Sequence, residues 1–194
     1  HRVATLALLA LESFSDTVLD PACGLSAISD VFEEKGYSVI LSDLVDRAAV
    51  SAGGVAQLVG DFLDSRPDGQ GEAPDIVTNP PYGECLNAFV AHALRVWRPR
   101  KLALLLNLNF QCGFADDDRN FVMDENPPAR VYVFKRRLPM MHREGYEGPK
   151  ASSRMNTAWF VWELREDGTY GGDDGAMLTR RIDWADYADA DCLE

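Results

Sequence analysis

The chain has 194 residues and a formal net charge of -12, a length that suits one domain with its own core. No apolar run approaches the roughly 20 residues that span a bilayer, and the opening HRVATLALLALESF lacks a signal peptide's charged start and small-residue cleavage site, so a cytoplasmic protein with no membrane contact is expected. Cys23, Cys85, Cys112 and Cys192 form no C-x-x-C pair and His1, His92 and His142 show no ligand spacing, so free thiols and no structural metal are expected.

In chain order, Val3, Leu6, Ala7, Ala10 and Leu11 share one face at helical spacing, which predicts an opening helix. TVLD (17–20) is a short strand broken by PACG; Ile28, Val31 and Phe32 then follow at helical spacing until Gly36 offers a stop. YSVILSD (37–43), AQLVGDF (56–62) and DIVTN (75–79) are the next strands, with an exposed loop rich in Pro, Gly and Asp before the last. Leu86, Phe89, Val90, Ala93, Leu94 and Trp97 give an amphipathic helix stopped at Arg98 by Pro99. KLALLLNL (101–108) is apolar at nearly every position, as a strand buried on both faces should be. ARVYVFKR (129–136) and TAWFVWEL (157–164) are two more β-rich runs, better alternated and joined without a convincing helix. The fold class expected is α/β, a single-domain, Rossmann-like, doubly wound sheet of seven strands, mostly parallel with an antiparallel last strand. Residues 1–164 form that domain, and 165–194 read as an acidic C-terminal tail.

Ligands of such sheets bind at the carboxyl ends of the strands. The first four strands end in Asp20-Pro21-Ala22-Cys23-Gly24, Asp43, Asp61-Phe62 and Asn79-Pro80-Pro81-Tyr82. Gly24 lets backbone approach a ligand, Asp43 is placed for ribose hydroxyls, and Asp61 with Phe62 suits an adenine, which together read as a nucleoside site. The prolines make 79–82 a stiff extended loop, since they donate no backbone hydrogen bond and hold φ fixed. A local basic island runs from Arg130 to Arg154 against the acidic average, and its Lys135, Arg136, Arg137, Arg143, Lys150 and Arg154 can contact phosphates.

VLDPACG, SVILSDL, GDFLD and DIVTNPPYG together resemble the successive motifs of class I S-adenosylmethionine-dependent methyltransferases. DPACG with NPPY resembles the DNA adenine-N6 methyltransferases in particular, and RVYVFKRRLPMMHREGY and TAWFVWEL are more loosely similar to the small phage-type enzymes. The resemblance implies S-adenosylmethionine as cofactor, held by Asp20, Pro21, Ala22, Cys23 and Gly24 at its methionine part. Asp43 would take the ribose hydroxyls and Asp61 and Phe62 the adenine, with Leu44 and Asn79 also among the cofactor-binding residues. It further implies that Asn79 and the Pro80 carbonyl accept hydrogen bonds from the target amine while Pro81 stiffens the loop and Tyr82 stacks on the base. DNA is the partner implied. RNA bases, a protein glutamine amide, and a decayed homologue that no longer turns over are the alternatives. One departure is Gly24-Leu25-Ser26, where the family has G-x-G; a serine there disfavours a positive φ.

Overall fold

The computed structural model describes residues 2–69, 71–113, 116–138 and 155–188. Its elements are α1 (Arg2–Leu11), β1 (Thr17–Asp20), α2 (Ser29–Glu34), β2 (Ser38–Asp43), β3 (Leu58–Val59), β4 (Asp75–Thr78), α3 (Leu86–His92), β5 (Lys101–Asn107), α4 (Asp117–Asn120), β6 (Arg130–Phe134), β7 (Thr157–Glu163) and β8 (Leu178–Ile182). π-Helical turns at Ala93–Trp97 and Phe121–Glu125 extend α3 and α4. The strands form one sheet in the order β3-β2-β1-β4-β5-β7-β6-β8. Every pairing is parallel except those of β7, which is antiparallel to β5 and β6.

Helices cover both faces. Leu19, Ile76, Leu102, Leu104, Phe160 and Trp162 pack with Phe89, Val90 and Leu94 of α3 and with Val122. Val18, Val77, Ala103, Leu105, Trp159 and Val161 pack on the other face with Val3, Ala4, Ala7 and Leu8 of α1 and Phe32 of α2. The two indoles of β7 point to opposite layers, and each buried N–H finds a carbonyl: Trp159 donates to Ala4 at 2.7 Å and Trp162 to Asn126 at 2.9 Å. Asp75, the acid that opens β4, is structural. It accepts from the Ser15 amide (2.7 Å), the Lys101 amide (2.7 Å) and Arg100 (2.5 Å), tying the start of β4 to its neighbours.

Three expectations need correction. The sheet has eight strands rather than seven: Leu178–Ile182, in the segment read as an acidic tail, pairs with β6 from Arg130↔Leu178 to Phe134↔Ile182. It is nearly invisible to hydrophobic patterning because, as an edge strand, it buries only Ile182. The antiparallel strand is neither last nor at the edge. β7 lies inside the sheet, and six of its seven residues are buried, the pattern of a strand covered on both faces. The third strand shrinks to Leu58–Val59, because Asp61 caps a 3-10 turn at Phe62–Asp64 by accepting from the Leu63 amide at 2.9 Å. Among the described residues no helix is long and apolar enough to cross a membrane. Cys23, Cys85 and Cys112 are free thiols, while Cys192 lies outside the described residues.

Candidate functional site

The chain passes from β1 outward to β2 and β3, then returns to the other side of β1 to lay down β4 and β5. Strand order therefore reverses between β1 and β4, which opens a crevice at their carboxyl ends. A cavity of about 530 Å³ occupies it, lined by Pro21, Ala22, Gly24, Asp43, Leu44, Val45, Arg47, Asp61, Phe62, Leu63, Asn79, Pro81, Cys85 and Phe89. Four separate strand ends thus meet around one space.

Gly24 holds φ at 55°, and its amide donates to Asp43 Oδ2 at 2.9 Å, so the turn after β1 is tied to the end of β2. Asp43 Oδ1 accepts from the Val45 amide at 3.0 Å. Each oxygen keeps a lone pair beyond these bonds, which leaves two adjacent acceptors at the cavity wall. Asp61 uses one oxygen for its cap and has the other available. Leu44, Val45, Leu63, Pro81 and Phe89 supply apolar wall between these polar points. A cavity of this size, with the paired Asp43 acceptors, the Asp61 carboxylate and apolar side chains in its lining, has the chemistry to take a ribose and a planar base.

Asp20 and Cys23 lie behind the wall instead of lining it. Asp20 is buried and accepts from Ser29 Oγ at 2.8 Å, while the Thr78 hydroxyl neighbours it outside hydrogen-bond geometry. Burial pushes the Asp20 carboxyl up to about 6. Burial, then the nearby Asp20 and Asp43 charges, pushes the Cys23 thiol up to about 11, so it stays protonated and inert at neutral pH. Ser26 takes φ 61° despite its side chain, and its hydroxyl is buried without a partner. The left-handed turn that a second glycine would make easily is therefore formed here under strain. Phe62 is only 5% exposed; the rings of Phe89, His92 and Trp97 crowd it at 4.5, 5.1 and 5.9 Å between centroids, so it offers the cavity little of its surface.

In the loop after β4, Asn79 and Pro81 line the cavity and are exposed, whereas the buried Pro80 and the exposed Tyr82 do not line it. The Tyr82 hydroxyl sits 3.2 Å from Asn79 Oδ1 and 3.2 Å from the Leu105 carbonyl oxygen, which leans the ring onto the end of β5.

Sequence patterning overlooked what holds the loop between β2 and β3. Gln57 is buried; its Oε1 accepts from the Arg47 amide at 2.9 Å and the Ala49 amide at 3.2 Å, and its Nε2 donates to the Val45 carbonyl at 3.0 Å. One side chain satisfies three backbone groups that a helix would have satisfied internally, and so fixes Val45 and Arg47 against the cavity. Arg47 itself was also missed, although it stands four residues from Asp43, with its Nε 3.8 Å from Asp43 Oδ1.

Because β5, β6 and β8 run parallel, Lys135, Arg136 and Arg137 leave β6 at the same edge of the sheet as the cavity. All three are exposed; Arg136 pairs with Asp183 at 2.8 Å and Arg137 donates to Asn156 at 3.3 Å. Arg130 leaves the basic island, since it lies at the other end of β6 in ion pairs with Glu12 and Glu163. Arg143, Lys150 and Arg154 lie outside the described residues.

No protein-family model and no curated protein matches the chain. Solved structures do. A methyltransferase subunit of the type I restriction-modification system from Streptococcus thermophilus is similar at TM-score 0.56 and 12% identity, over 85% of this chain and 44% of that one. A protein from Listeria monocytogenes described as a class I S-adenosylmethionine-dependent methyltransferase is similar at TM-score 0.53 and 13% identity, over 98% and 65%. A TehB-like S-adenosylmethionine-dependent methyltransferase from Corynebacterium glutamicum is similar at 0.51 and 15%, over 83% and 86%. The chain thus spans less than two thirds of the first two. At these identities the likeness is one of fold: the chain has the Rossmann-like α/β fold of S-adenosylmethionine-dependent methyltransferases, with an eighth strand in its sheet.

Proposed function

We propose that the chain transfers a methyl group from S-adenosylmethionine to the exocyclic N6 amine of adenine in DNA. The observation that carries this reading is that Asn79, its side chain held by Tyr82, lines the same cavity as Gly24, Asp43 and Asp61, whose chemistry suits a nucleoside. The type I restriction-modification methyltransferase subunit of similar fold supports it.

S-adenosylmethionine would supply an electrophilic methyl group on a sulfonium centre. Its methionine part would lie along the Asp20-to-Gly24 turn. The free lone pairs of Asp43 would take the ribose hydroxyls and Asp61 the adenine amine, with Leu44, Val45 and Pro81 against the ring faces in place of the crowded Phe62. The target amine is a poor nucleophile because its lone pair is delocalised into the base. Asn79 Oδ1 and the Pro80 carbonyl would accept its two hydrogens, drawing the nitrogen toward tetrahedral geometry and localising the pair. The buried Pro80 and the tethered Tyr82 hold these acceptors before substrate arrives, so little reorganisation remains for the transition state. To reach them the base must leave the duplex.

The test is methyl transfer from radiolabelled S-adenosylmethionine to unmethylated DNA, RNA and a glutamine-bearing protein extract in parallel, with nucleoside analysis of the product. N6-methyladenine in DNA is expected, and Asn79→Ala should abolish it while leaving cofactor affinity within a few fold. Label only in RNA or protein would move the same site to another planar amine. Equal loss of turnover and cofactor binding in Asn79→Ala would sink the role given to Asn79.

A further inference from the structure

The two edges of the sheet differ chemically. At one, β3 shows solvent Leu58 and Val59, which are 60% and 58% exposed. At the other, β8 also exposes an aliphatic residue, Leu178 at 61%, but follows it with Thr179, Arg180 and Arg181, all exposed, and neither arginine has an ion pair among the described residues. Of the two edge strands, the two-residue β3 carries no charge and the five-residue β8 carries both arginines. Their positive charge runs against the chain's net charge of -12.

Acids flank the strand at both ends, but Asp183, which follows Ile182 at the cavity end, is already paired with Arg136. Asp173 and Asp174 precede the strand at the end away from the cavity, while Arg180 and Arg181 pair in register with Tyr132 and Val133, just short of the edge where Lys135, Arg136 and Arg137 emerge. Successive strand residues point to opposite faces, so the two guanidinium groups straddle the sheet edge like a fork.

We infer that the β8 edge binds the phosphate backbone of duplex DNA, with Arg180 and Arg181 extending the surface begun by Lys135, Arg136 and Arg137. This rests on the DNA reading proposed above. β8 lies four strands from β4, and at about 4.8 Å per strand it stands roughly 19 Å to the side of Asn79. Measured along the axis of B-DNA, at about 3.4 Å per base pair, that is between five and six base pairs. The contact therefore lies away from the target base, where it adds affinity and register without reading sequence.

The experiment is fluorescence anisotropy across a salt series, using a labelled duplex of about 24 base pairs, long enough at 3.4 Å per pair to cover both places. It compares wild type with the double variants Arg180→Gln/Arg181→Gln and Arg180→Lys/Arg181→Lys, each checked for an unchanged melting temperature. The glutamine variant should bind more weakly, with its log-log salt slope shallower by about 1.8, one increment of about 0.9 for each lost phosphate contact. The lysine variant should recover the slope. A wild-type slope retained by the glutamine variant would overturn the inference and leave the DNA reading standing. Self-association of that variant with unchanged DNA affinity would overturn it too, assigning the arginines to edge protection. No DNA binding by wild type, with methyl transfer to protein instead, would overturn both readings.

Discussion

The Tyr82 hydroxyl lies at 3.2 Å from both Asn79 Oδ1 and the Leu105 carbonyl, so one proton is shared between the loop's amide and the end of β5. The contact orients the Asn79 side chain and anchors the ring, which is 43% exposed. Tyr82→Phe keeps the ring and loses only a neutral hydrogen bond worth about 1 kcal/mol, so kcat/KM for methyl transfer should fall less than about tenfold. Tyr82→Ala also removes a stacking surface worth roughly 1–3 kcal/mol and should fall by on the order of a hundredfold. Equal losses in single-turnover assays would show that the ring itself does nothing for the base.

Ser26 combines φ 61° with a buried hydroxyl that has no partner. Ser26→Gly relieves the backbone, at about 1–2 kcal/mol, and removes an unsatisfied group, against roughly 0.4–1 kcal/mol of added chain entropy in the unfolded state. The variant should be more stable by about 1 kcal/mol in urea denaturation, and calorimetry should find S-adenosylmethionine bound no more weakly. Loss of stability would mean that the hydroxyl has a partner in solution.

Asp20 should make the protein less stable as pH rises. Its folded-state pKa of about 6 exceeds the ordinary 3.8, so the native state holds the proton more tightly and stability falls between about pH 4 and pH 6. The difference corresponds to about 3 kcal/mol at neutral pH. Asp20→Asn should therefore gain most over wild type at pH 7 and little at pH 4. A gain independent of pH in denaturant titrations would point to packing instead of ionisation.

Glu12 behaves in the opposite sense. Burial raises its pKa, but hydrogen bonds from Arg130, Lys101 and Tyr132 outweigh that and leave it lowered. Its contribution is complete above the ordinary value of 4.5 and lost as pH falls through the lower folded value. Lys101, itself buried, lies 2.6 Å from Glu12. Glu12→Gln leaves that ammonium undercompensated, at a cost of roughly 3–5 kcal/mol, and should lower the melting temperature more at pH 7 than at pH values below 4.5. A change below 1 kcal/mol would show that water reaches the cluster.

Most of the cavity wall was legible in the sequence because its chemistry is local. A strand that ends in Asp43, a turn that needs Gly24 and a loop stiffened by Pro80 and Pro81 each carry their signal within a few residues. Of the ten residues assigned to the cofactor, Pro21, Ala22, Gly24, Asp43, Leu44, Asp61, Phe62 and Asn79 line one cavity, while Asp20 and Cys23 sit behind it. What needed the tertiary structure were relations between distant segments. Gln57 acts by satisfying backbone groups at Val45, Arg47 and Ala49. Phe62 is drawn into an aromatic cluster by a helix that follows it in the chain. β8 is held by backbone pairing to β6, more than forty residues earlier, with Ile182 as its one buried side chain. Periodicity reports which faces are buried, so a strand that buries almost nothing leaves no trace in it. The placement of Arg180 and Arg181 beside the basic end of β6 was decided by sheet pairing alone.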